Sequence, residues 1–544
     1  MLVTFLPINK KIDIDINGNL LEIASNNGID LGGICKGNKT CGKCRVLISK
    51  GNNHDYAKEE LIALTDEERN AGVRLACCYT VKEDTCAILS SNQIDDKTKQ
   101  IIKEKMESKY FKKYKDDSKA IKINQNANNT VYGVSFDIGT TSVVAKLWDL
   151  NNKICYGEIS TLNPQSLYGA DVISRITYAD KSKENLDRLT QLIRNCCNDL
   201  IEKISTKNGV PIDNIISVVI AANTTMSHLF LGRSVHNLSK VPFLNVSYEG
   251  VKGKADEFDI RINNEGVIFV MPGIGGHVGS DTLGCILSGN LYLTNETILM
   301  VDIGTNGELV LVKNGKITAC STAAGPAFEG AAIQHGMRAI EGAIYGVEIK
   351  NNKINIDVIG YKTDSIGHKT EPIGICGSGI IEAISEFHKN GMMDDTGRLL
   401  GEYSNTNYVT LCKSSSNKII LTQKDIRELQ LAKSAIFTGI MLLLKEENIE
   451  LSEIDKFYLA GAFGNNINLD KAIHIGLLPN LDKEKYKNLG NGALFGADKI
   501  LLGEISIDQA EQISKSVEHM ELAVREDFEK CFINNLNFGS GDMK

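Results

Sequence analysis

The stretch VYGVSFDIGTTSVVAKLWDL, residues 131–150, decides how most of this chain folds. It consists of an apolar strand, an Asp-Ile-Gly-Thr turn and a second strand with alternating apolar residues, which is the pattern of a β-hairpin. A similar stretch, TILMVDIGTNGELVLVKNGK, occupies residues 297–316. Two matching hairpins so far apart in the chain predict two lobes built on the same unit.

Both hairpin turns carry residue types that bind phosphate. Asp137 and Asp302 end the first strand of their hairpins, where a carboxylate can hold a Mg²⁺-bound water or orient an attacking water. We therefore predict both as catalytic. Glycine lets phosphate oxygens approach the backbone, and threonine hydroxyls and turn N–H groups donate to them. The predicted phosphate contacts are Gly139, Thr140, Thr141, Gly304, Thr305 and Asn306.

Two later glycine-rich segments complete a nucleotide site. GICGSG, residues 374–379, opens an apolar helix, and a helix N-terminus of this kind is suited to phosphate or ribose. LAGAFG, residues 459–464, follows an apolar strand and resembles an adenosine-binding turn. The predicted nucleotide contacts in these segments are Gly377, Ser378, Gly379, Gly461 and Gly464.

Glu329 is the third predicted catalytic residue. In AGPAFEG, residues 324–330, its carboxylate either orients water at the γ-phosphate or caps a following helix, and both interpretations stay open. A comparable strand end at Asn223 carries an amide where sugar kinases commonly place an aspartate base. Because an amide cannot take a proton from a hydroxyl, phosphoryl transfer to a sugar is disfavoured.

The order of these segments resembles the superfamily of acetate kinase, sugar kinases, heat-shock chaperone ATPases and actin. That resemblance implies a two-lobed RNase H-like, actin-like ATPase fold of the α/β class. We place lobe I at 129–296 and lobe II, with a C-terminal extension, at 297–544. Apolar periodicity predicts helices at 185–206, 378–390 and 423–446.

The N-terminal residues carry a different chemistry. Their cysteines are spaced Cys-x5-Cys-x2-Cys-x32-Cys, and the first three share one glycine-rich loop, as in [2Fe–2S] ferredoxins. A four-cysteine zinc site is the alternative, but zinc ribbons use two separate paired knuckles. Cys78 competes with Cys77 as the fourth ligand, and the ferredoxin pattern Arg-Leu-x-Cys favours Cys77. The predicted ligands are Cys35, Cys41, Cys44 and Cys77.

Short alternating strands surround this cysteine loop. They predict a small domain at 1–92, an α+β ferredoxin-like β-grasp unit if the cysteines hold a cluster. Residues 93–128 are rich in lysine and acidic residues and are predicted to form a charged linker.

Bulk properties exclude several classes of function. A net charge of −8 gives no electrostatic basis for binding nucleic acid. The sequence contains neither a signal-peptide pattern nor an apolar run long enough for a membrane span. Fourteen cysteines without an export signal predict a cytoplasmic protein whose thiols serve metals or cores.

Taken over its whole length, the chain resembles the reductive activators of corrinoid proteins. Cys78 stands where the family's glutamine is usual, and the chain is short for the family. The matching strings are NPQ at 163–165, YGADVISR at 168–175, NTTM at 223–226, HL at 228–229, GSD at 279–281, DIGTNGE at 302–308, GPAFEG at 325–330 and QLAK at 430–433.

The resemblance implies ATP-dependent one-electron reduction of inactive Co(II) to Co(I) through the [2Fe–2S] cluster. It implies ATP and Mg²⁺ as further cofactors, a corrinoid protein and a low-potential electron donor as partners, and a homodimer. Three alternatives stay open: an activator of a 2-hydroxyacyl-CoA dehydratase, an ATP-sensing electron carrier without hydrolysis, and a kinase. For the first alternative, Cys320 or Cys376 would bridge a shared [4Fe–4S] cluster, although buried core thiols are the simpler interpretation of both.

Overall fold

The computed structural model describes most of the chain, and all structural statements below concern the described residues. The predicted ligands Cys35 and Cys41, the predicted contact Gly464 and the predicted linker at 93–128 lie outside them. The described residues are 1–6, 10–14, 18–27, 29, 31, 39, 44–51, 55–64, 69, 72–88, 130–169, 171–241, 243, 246–330, 332–360, 371–413, 418–461 and 467–539.

The chain divides into two compact units. The first comprises Met1–Lys122 with Lys240–Ser247, and the second comprises Ile123–Ser239 with Tyr248–Lys544. Each unit has its own hydrophobic core, as expected for a chain of 544 residues.

The first unit is built on a mixed five-stranded sheet in the order β2-β1-β7-β4-β5, beside a small β3-β6 pair. β1 and β7 are parallel, and the other pairs in the sheet are antiparallel. Short helices at Leu20–Asn26 and Lys58–Ala63 accompany it. The strands are β1 (Leu2–Leu6), β2 (Lys10–Asp13), β3 (Gly18–Asn19), β4 (Arg45–Lys50), β5 (Val73–Leu75), β6 (Thr80–Val81) and β7 (Thr85–Ile88).

The second unit contains two six-stranded sheets. The first has the order β10-β9-β8-β11-β13-β12, in which β8, β9 and β10 form an antiparallel meander and β11 runs parallel to β8 and β13. Its strands are β8 (Tyr132–Ile138), β9 (Ser142–Asp149), β10 (Ile154–Leu162), β11 (Ile215–Ala222), β12 (Val251–Lys254) and β13 (Val267–Val270).

The other six-stranded sheet repeats the arrangement around the second hairpin, in the order β23-β22-β14-β15-β16-β24. Two smaller sheets, β18-β17-β19 and β20-β21, belong to the same half of the unit. The strands are β14 (Ile298–Ile303), β15 (Gly307–Lys313), β16 (Lys316–Thr322), β17 (Ala343–Lys350), β18 (Lys353–Val358), β19 (Gly374–Ile375), β20 (Tyr408–Lys413), β21 (Lys418–Thr422), β22 (Lys456–Ala460), β23 (Tyr486–Gly490) and β24 (Glu518–His519).

Helices flank these sheets, and the three predicted from apolar periodicity are confirmed at Lys183–Asn208, Gly377–Lys389 and Gln423–Glu446. The other α-helices of the second unit are Val172–Ala179, Thr224–Leu231, Ser280–Ser288, Glu402–Thr406, Leu469–His474, Gly492–Leu501, Ile507–Ser516 and Phe528–Asn534. Short 3-10 helices lie at Pro164–Tyr168, Ile212–Asn214, His236–Ser239, Ala255–Phe258, Leu291–Leu293, Pro326–Glu329, Leu451–Glu453, Lys483–Lys485 and Leu522–Val524.

Both predicted hairpins are present. In the first, β8 pairs antiparallel with β9 and Asp137 lies opposite Val144. In the second, β14 pairs antiparallel with β15 and Asp302 lies opposite Glu308. Each aspartate therefore ends an interior strand of its sheet, where its carboxylate is close to the following turn.

A late segment of the chain packs on the first of the two large sheets. Helix Gly492–Leu501 lies against helix Ser280–Ser288 so closely that a Cβ on Gly496 would come within 2.3 Å of the Gly284 Cα. Asp498 on this helix accepts hydrogen bonds from the Trp148 indole at 2.7 Å and from Ser135, and it pairs with Lys146 at 2.8 Å. The first lobe is thus completed by residues close to the C-terminus.

Candidate functional site

The first phosphate turn, residues 139–141, is held by side chains from several elements of its own lobe. Asn163 donates from Nδ2 to the Gly139 carbonyl at 2.9 Å. Asn223, the N-cap of helix Thr224–Leu231, donates from Nδ2 to the Thr140 hydroxyl at 3.0 Å. Asn223 therefore occupies the strand end next to the predicted phosphate site, and it supplies an amide there and no base.

Arg175 supports the same turn from inside the lobe. Its side chain is fully buried, and it donates to the Thr140 carbonyl and, at 2.9 Å, to the Gly169 carbonyl. Burial lowers the pKa of Arg175 to about 10, so the guanidinium is still charged at neutral pH. Arg175 therefore ties the carbonyl side of this turn to the interior of the lobe, while the Gly139 N–H closes the hairpin by donating to the Ser142 carbonyl at 2.9 Å.

Residues from the second lobe reach this turn as well. The Thr141 hydroxyl donates to the carboxylate of Glu329, and Nη2 of Arg338 donates to the Thr141 carbonyl at 3.0 Å. Thr141 is thus bonded through both its side chain and its backbone to the opposite lobe.

The second turn, residues 304–306, has fewer supports. The Gly304 N–H donates to the Asn306 carbonyl at 3.1 Å, and the Thr305 hydroxyl donates to Oε1 of Glu329 at 2.7 Å. Glu329 ends the 3-10 helix Pro326–Glu329 and accepts a threonine hydroxyl from each turn. Its carboxylate therefore links the two predicted phosphate turns.

The two predicted aspartates belong to a larger group of carboxylates, of which Asp137, Asp281 and Asp302 are half-buried and Glu308 is buried. Burial, with the Asp302 charge added, raises the pKa of Asp137 to about 7, and burial raises that of Asp302 to about 6. Asp281 and Glu308 share the same environment: burial raises the pKa of Asp281 to about 7 and that of Glu308 well above its usual range. Carboxylates grouped in this way favour a bound cation, which offsets their mutual repulsion.

Asp281 and Glu308 were not predicted as site residues. Both lie within strings that match the corrinoid-activator family, GSD and DIGTNGE, which was the available signal. Helix Ser280–Ser288 carries Asp281 and strand β15 carries Glu308. Both carboxylates lie near enough to Asp302 for its charge to raise their pKa values.

The predicted adenosine turn lies against Asp302. Gly461 has φ of +82°, and a Cβ there would come within 2.4 Å of Oδ1 of Asp302, so the position requires glycine. On the other side, Asn491 donates from Nδ2 to Oδ2 of Asp137 at 3.0 Å. Asn491 was also missed by sequence reasoning, because it follows β23 far from either turn in the sequence.

Residues 377–379 begin helix Gly377–Lys389, as predicted. A Cβ on Gly379 would come within 2.3 Å of the Ile344 carbonyl oxygen, and the Ser378 hydroxyl lies 3.3 Å from Sγ of Cys376. In this structure Gly379 therefore permits close packing of the helix on β17. Cys376 and Cys320 are both buried in the core, where neither thiol is exposed for bridging two subunits.

In the first unit, the pairing of β4 with β5 brings two predicted ligands together. Cys44 and Cys77 are buried, and burial and the adjacent Cys44 thiol raise the pKa of Cys77. The Cys77 Sγ lies 3.9 Å from that of Cys78, which is more exposed. Two neighbouring buried thiols at the edge of the cysteine loop fit a site that is completed by thiolates from that loop.

The chain around Cys77 is anchored by an ion pair. Glu60 and Arg74 are buried, with Nη2 of Arg74 2.8 Å from Oε2 of Glu60. Oε1 of Glu60 also accepts the Leu75 N–H at 2.9 Å. This pair fixes the backbone immediately before Cys77, so the orientation of that thiol depends on it.

In the described part of the chain, no cluster of three or more histidine, cysteine, aspartate or glutamate side chains is close enough to hold an ion. Mg²⁺ at a nucleotide site needs only one or two carboxylates besides phosphate oxygens and water, so the half-buried Asp137 and Asp302 fit it. None of the described helices has the length and apolar character to cross a membrane.

The chain matches known families over nearly its whole length. Residues 3–82 match a 2Fe-2S iron-sulfur cluster binding domain, residues 132–294 match the RACo middle region, and residues 296–544 match the C-terminal domain of RACo, the ASKHA domain. These matches place an iron–sulfur domain and an ATPase-type domain on one polypeptide.

Similar proteins were found among both sequences and structures. The corrinoid activation enzyme RamQ of Eubacterium limosum is 31% identical over 100% of both chains. A [Co(II) methylated amine-specific corrinoid protein] reductase of Methanosarcina barkeri is 24% identical over 76% of this chain and 78% of its own. The solved structure of a reductive activator for corrinoid, iron-sulfur protein is 29% identical, with a TM-score of 0.69 and 99% of each chain covered.

Proposed function

Because this chain belongs to the RACo family of reductive activators of corrinoid proteins, we propose that its two sites act together: ATP binding and hydrolysis in the second unit drive electron delivery from the first. The expected fold, a ferredoxin-type domain with an actin-like ATPase, is confirmed, and so is enzymatic reductive activation of corrinoid proteins. The observation that carries the proposal is that one chain holds both the buried pair Cys44 and Cys77 and the two aspartates, Asp137 and Asp302, at the two predicted phosphate turns.

We propose Cys35, Cys41, Cys44 and Cys77 as the cluster ligands. These four thiolates would hold the [2Fe–2S] cluster, which would supply the one electron needed to reduce Co(II) of a corrinoid protein to Co(I). Cys44 and Cys77 are supported by their burial and mutual contact, whereas Cys78 is partly exposed on the outer side of Cys77. The Glu60–Arg74 pair keeps the Cys77 thiol in place during this cycle.

We propose that the ATP site is formed by the two phosphate turns. Asp137 and Asp302 would hold Mg²⁺ or its bound water, and Glu329 would orient the water that attacks the γ-phosphate. The predicted residues of both turns would donate to the phosphates, and the turn at Gly461 would face the adenosine. The half-buried carboxylates support metal binding, and the Glu329 bonds to Thr141 and Thr305 support its place between the turns.

The coupling between the sites follows from the bonds that cross between the lobes. The Thr141 hydroxyl donates to Glu329 and Arg338 donates to the Thr141 carbonyl, so a phosphate group that accepts from Thr141 and Arg338 instead changes how the lobes meet. We propose that this change is passed to the complex with the corrinoid protein and makes the unfavourable reduction of cobalt irreversible.

Several finer expectations belong to the same proposal. We expect a low-potential electron donor upstream, a homodimer, and a cytoplasmic location in which the cysteines stay reduced. Light scattering of the purified protein tests the dimer, since the mass of one chain is 59.5 kDa.

The direct test is anaerobic reduction of an air-oxidised corrinoid protein. The protein is reduced with Ti(III) and mixed with its corrinoid partner, and Co(I) is followed optically with Mg-ATP, with Mg-ADP and without nucleotide. We expect Co(I) only with Mg-ATP. An equal yield of Co(I) without nucleotide would contradict the coupling, and ATP hydrolysis without any Co(I) would favour a different electron acceptor.

The ligand assignment has its own test. Iron content and the optical and EPR spectra are compared for Cys77→Ser, Cys78→Ser and, as a matched control on the exposed β10 strand, Cys155→Ser. We expect loss of the cluster in Cys77→Ser alone. If Cys78→Ser lost the cluster and Cys77→Ser retained it, the fourth ligand would be Cys78 and not Cys77.

A further inference from the structure

Arg338 lies at the first phosphate turn but comes from the opposite lobe. Nη2 donates to the Thr141 carbonyl at 3.0 Å, and the side chain is half-buried. Within the described part of the chain this guanidinium forms no ion pair. A charged group that can donate five hydrogen bonds is thus bonded here to one neutral carbonyl.

The segment that carries Arg338 is firmly anchored. The Met337 N–H donates to the Ile375 carbonyl and the Ile375 N–H to the His335 carbonyl, both at 2.9 Å. The Gln334 N–H donates to Asp425 at 2.8 Å. A Cβ on Gly336 would come within 2.0 Å of the Gly330 carbonyl oxygen, so this segment also packs tightly on the end of the 3-10 helix that carries Glu329.

Negative charge at the site, above all that of a bound triphosphate, would be stabilised by a cationic side chain. Asp137, Asp281, Asp302 and Glu308 are carboxylates, and the triphosphate of ATP adds further negative charge. Arg175 does not meet this need, because it is fully buried and its guanidinium is engaged with the backbone behind the turn. Arg338 is the half-buried cation on the opposite lobe, beside the turn predicted to bind the terminal phosphates.

We propose that Arg338 binds the γ-phosphate of ATP and so makes closure of the two lobes depend on that phosphate. The proposal rests on the ATP site described above and adds a substrate contact to it. Guanidinium groups bind phosphate oxygens through two parallel hydrogen bonds, which is stronger and more directional than a bond to a carbonyl. When the γ-phosphate leaves after hydrolysis, Arg338 loses that partner and the lobe contact weakens.

The test compares ATP and ADP binding in the full chain. Dissociation constants for Mg-ATP and Mg-ADP are measured by calorimetry for the unmodified protein, Arg338→Ala and Arg338→Lys, with Arg261→Ala as an exposed control. We expect Arg338→Ala to weaken ATP binding by about 10- to 100-fold, the range for a hydrogen bond to a charged group, and to leave ADP binding within about threefold. Arg338→Lys should be intermediate, because lysine keeps the charge but not the paired geometry.

The outcomes separate this inference from the proposed function. Equal weakening of ATP and ADP in Arg338→Ala, or no weakening of either, would overturn a γ-phosphate contact and leave the ATP site itself intact. Failure of the unmodified protein to bind either nucleotide would instead contradict the proposed function.

A second measurement separates loss of the phosphate contact from loss of the lobe contact in the alanine variant, while Arg338→Lys keeps the binding test available if that variant does not fold. Guanidinium ion at millimolar concentration, added to Arg338→Ala, should restore part of the ATPase rate, with the same concentration of sodium ion as a control. A missing lobe contact alone would not be restored by a small cation, so absence of rescue in a folded variant argues against the contact.

Discussion

The two predicted phosphate turns have nearly the same sequence, but the protein supports them differently. Asparagines and a buried arginine of its own lobe hold the turn at 139–141, and Arg338 and Glu329 hold it from the other lobe. The turn at 304–306 depends mainly on the bond between Thr305 and Glu329. The first turn is therefore preformed, while the position of the second is set by a carboxylate that both turns share.

This difference indicates that the two turns have different roles, one in nucleotide affinity and the other in coupling between the lobes. A preformed turn loses little conformational entropy when phosphate binds, which favours affinity. A turn held through a shared carboxylate can respond to what the other turn binds, which favours coupling between the lobes. Substitutions in each turn and in its supporting side chains test that difference in roles.

Replacing either turn aspartate should abolish turnover while leaving the protein folded. For Asp137→Asn and Asp302→Asn we expect ATPase rates lower by about 10²- to 10³-fold, the loss typical of removing one electrostatic contact to the transition state. Steady-state phosphate release measures the effect, and Asp256→Asn on the exposed surface serves as control. A loss in only one of the two variants would mean that the turns do not share the metal.

Removing the internal support of the first turn should cost stability. Arg175→Met leaves the Thr140 and Gly169 carbonyls buried without their donor, and we expect the free energy of unfolding to fall by about 3 kcal/mol. Denaturant unfolding measures it against Arg261→Met. An unchanged free energy would show that the turn is not held by Arg175, and the contrast between the turns would lose its main support.

The raised pKa of Asp137 predicts how stability depends on pH when EDTA removes free divalent cations. Between its ordinary value near 3.8 and about 7, the folded protein keeps a proton that the unfolded chain releases. Stability therefore falls as pH rises through this range, because the folded state must then bury a charge. We expect a lower Tm at pH 8 than at pH 5.5.

The same argument predicts a stabilising substitution. Asp137→Asn removes the buried charge and keeps an oxygen acceptor for Asn491, so it should gain on the order of 2 kcal/mol at pH 8 in EDTA. The gain should be smaller at pH 5, where the folded protein still keeps the proton, and should disappear only below the ordinary pKa near 3.8. A gain of equal size at both pH values would argue against ionisation as its cause.

The smallest effects should come from the threonines that share Glu329. Thr305→Val and Thr141→Val each remove one hydroxyl donor, and we expect losses of about 1 kcal/mol in nucleotide binding. The first turn has other supports, so Thr305→Val should have the larger effect. Equal effects, measured by calorimetry with Mg-ATP, would indicate that both turns depend on Glu329 to the same degree.

Much of this architecture could be predicted from the sequence. The hairpins, the helices at 185–206 and 423–446 and the strands around the cysteines are local patterns, which depend on residues close together in the chain. The predicted turn residues likewise appear at the turns. Local periodicity and turn chemistry are sufficient for these features because they do not depend on which elements become neighbours.

The rest of the site depends on tertiary neighbours. Asp281 and Asn491 reach the turn aspartates only because their helices pack at the ends of β8 and β14, which no local pattern specifies. The complete burial of Arg175 could not be predicted from the sequence, because an arginine in a helix is normally exposed. Arg338 follows a loop anchored on β19, and only that backbone pairing directs it toward the other lobe.

Helix Gly492–Leu501 packs on the first large sheet although it is synthesised long after the strands of that sheet. The first lobe therefore cannot be completed until late in translation. Asp137 and Asn491 are separated by 354 residues. At the usual rate of elongation, the ribosome needs about 20 to 70 seconds to synthesise the chain between them. During that time Val219, Phe269 and Leu283 lack the apolar residues that later cover them. The nascent first lobe therefore exposes apolar surface during synthesis, and Asn491 reaches Asp137 only when translation is nearly complete.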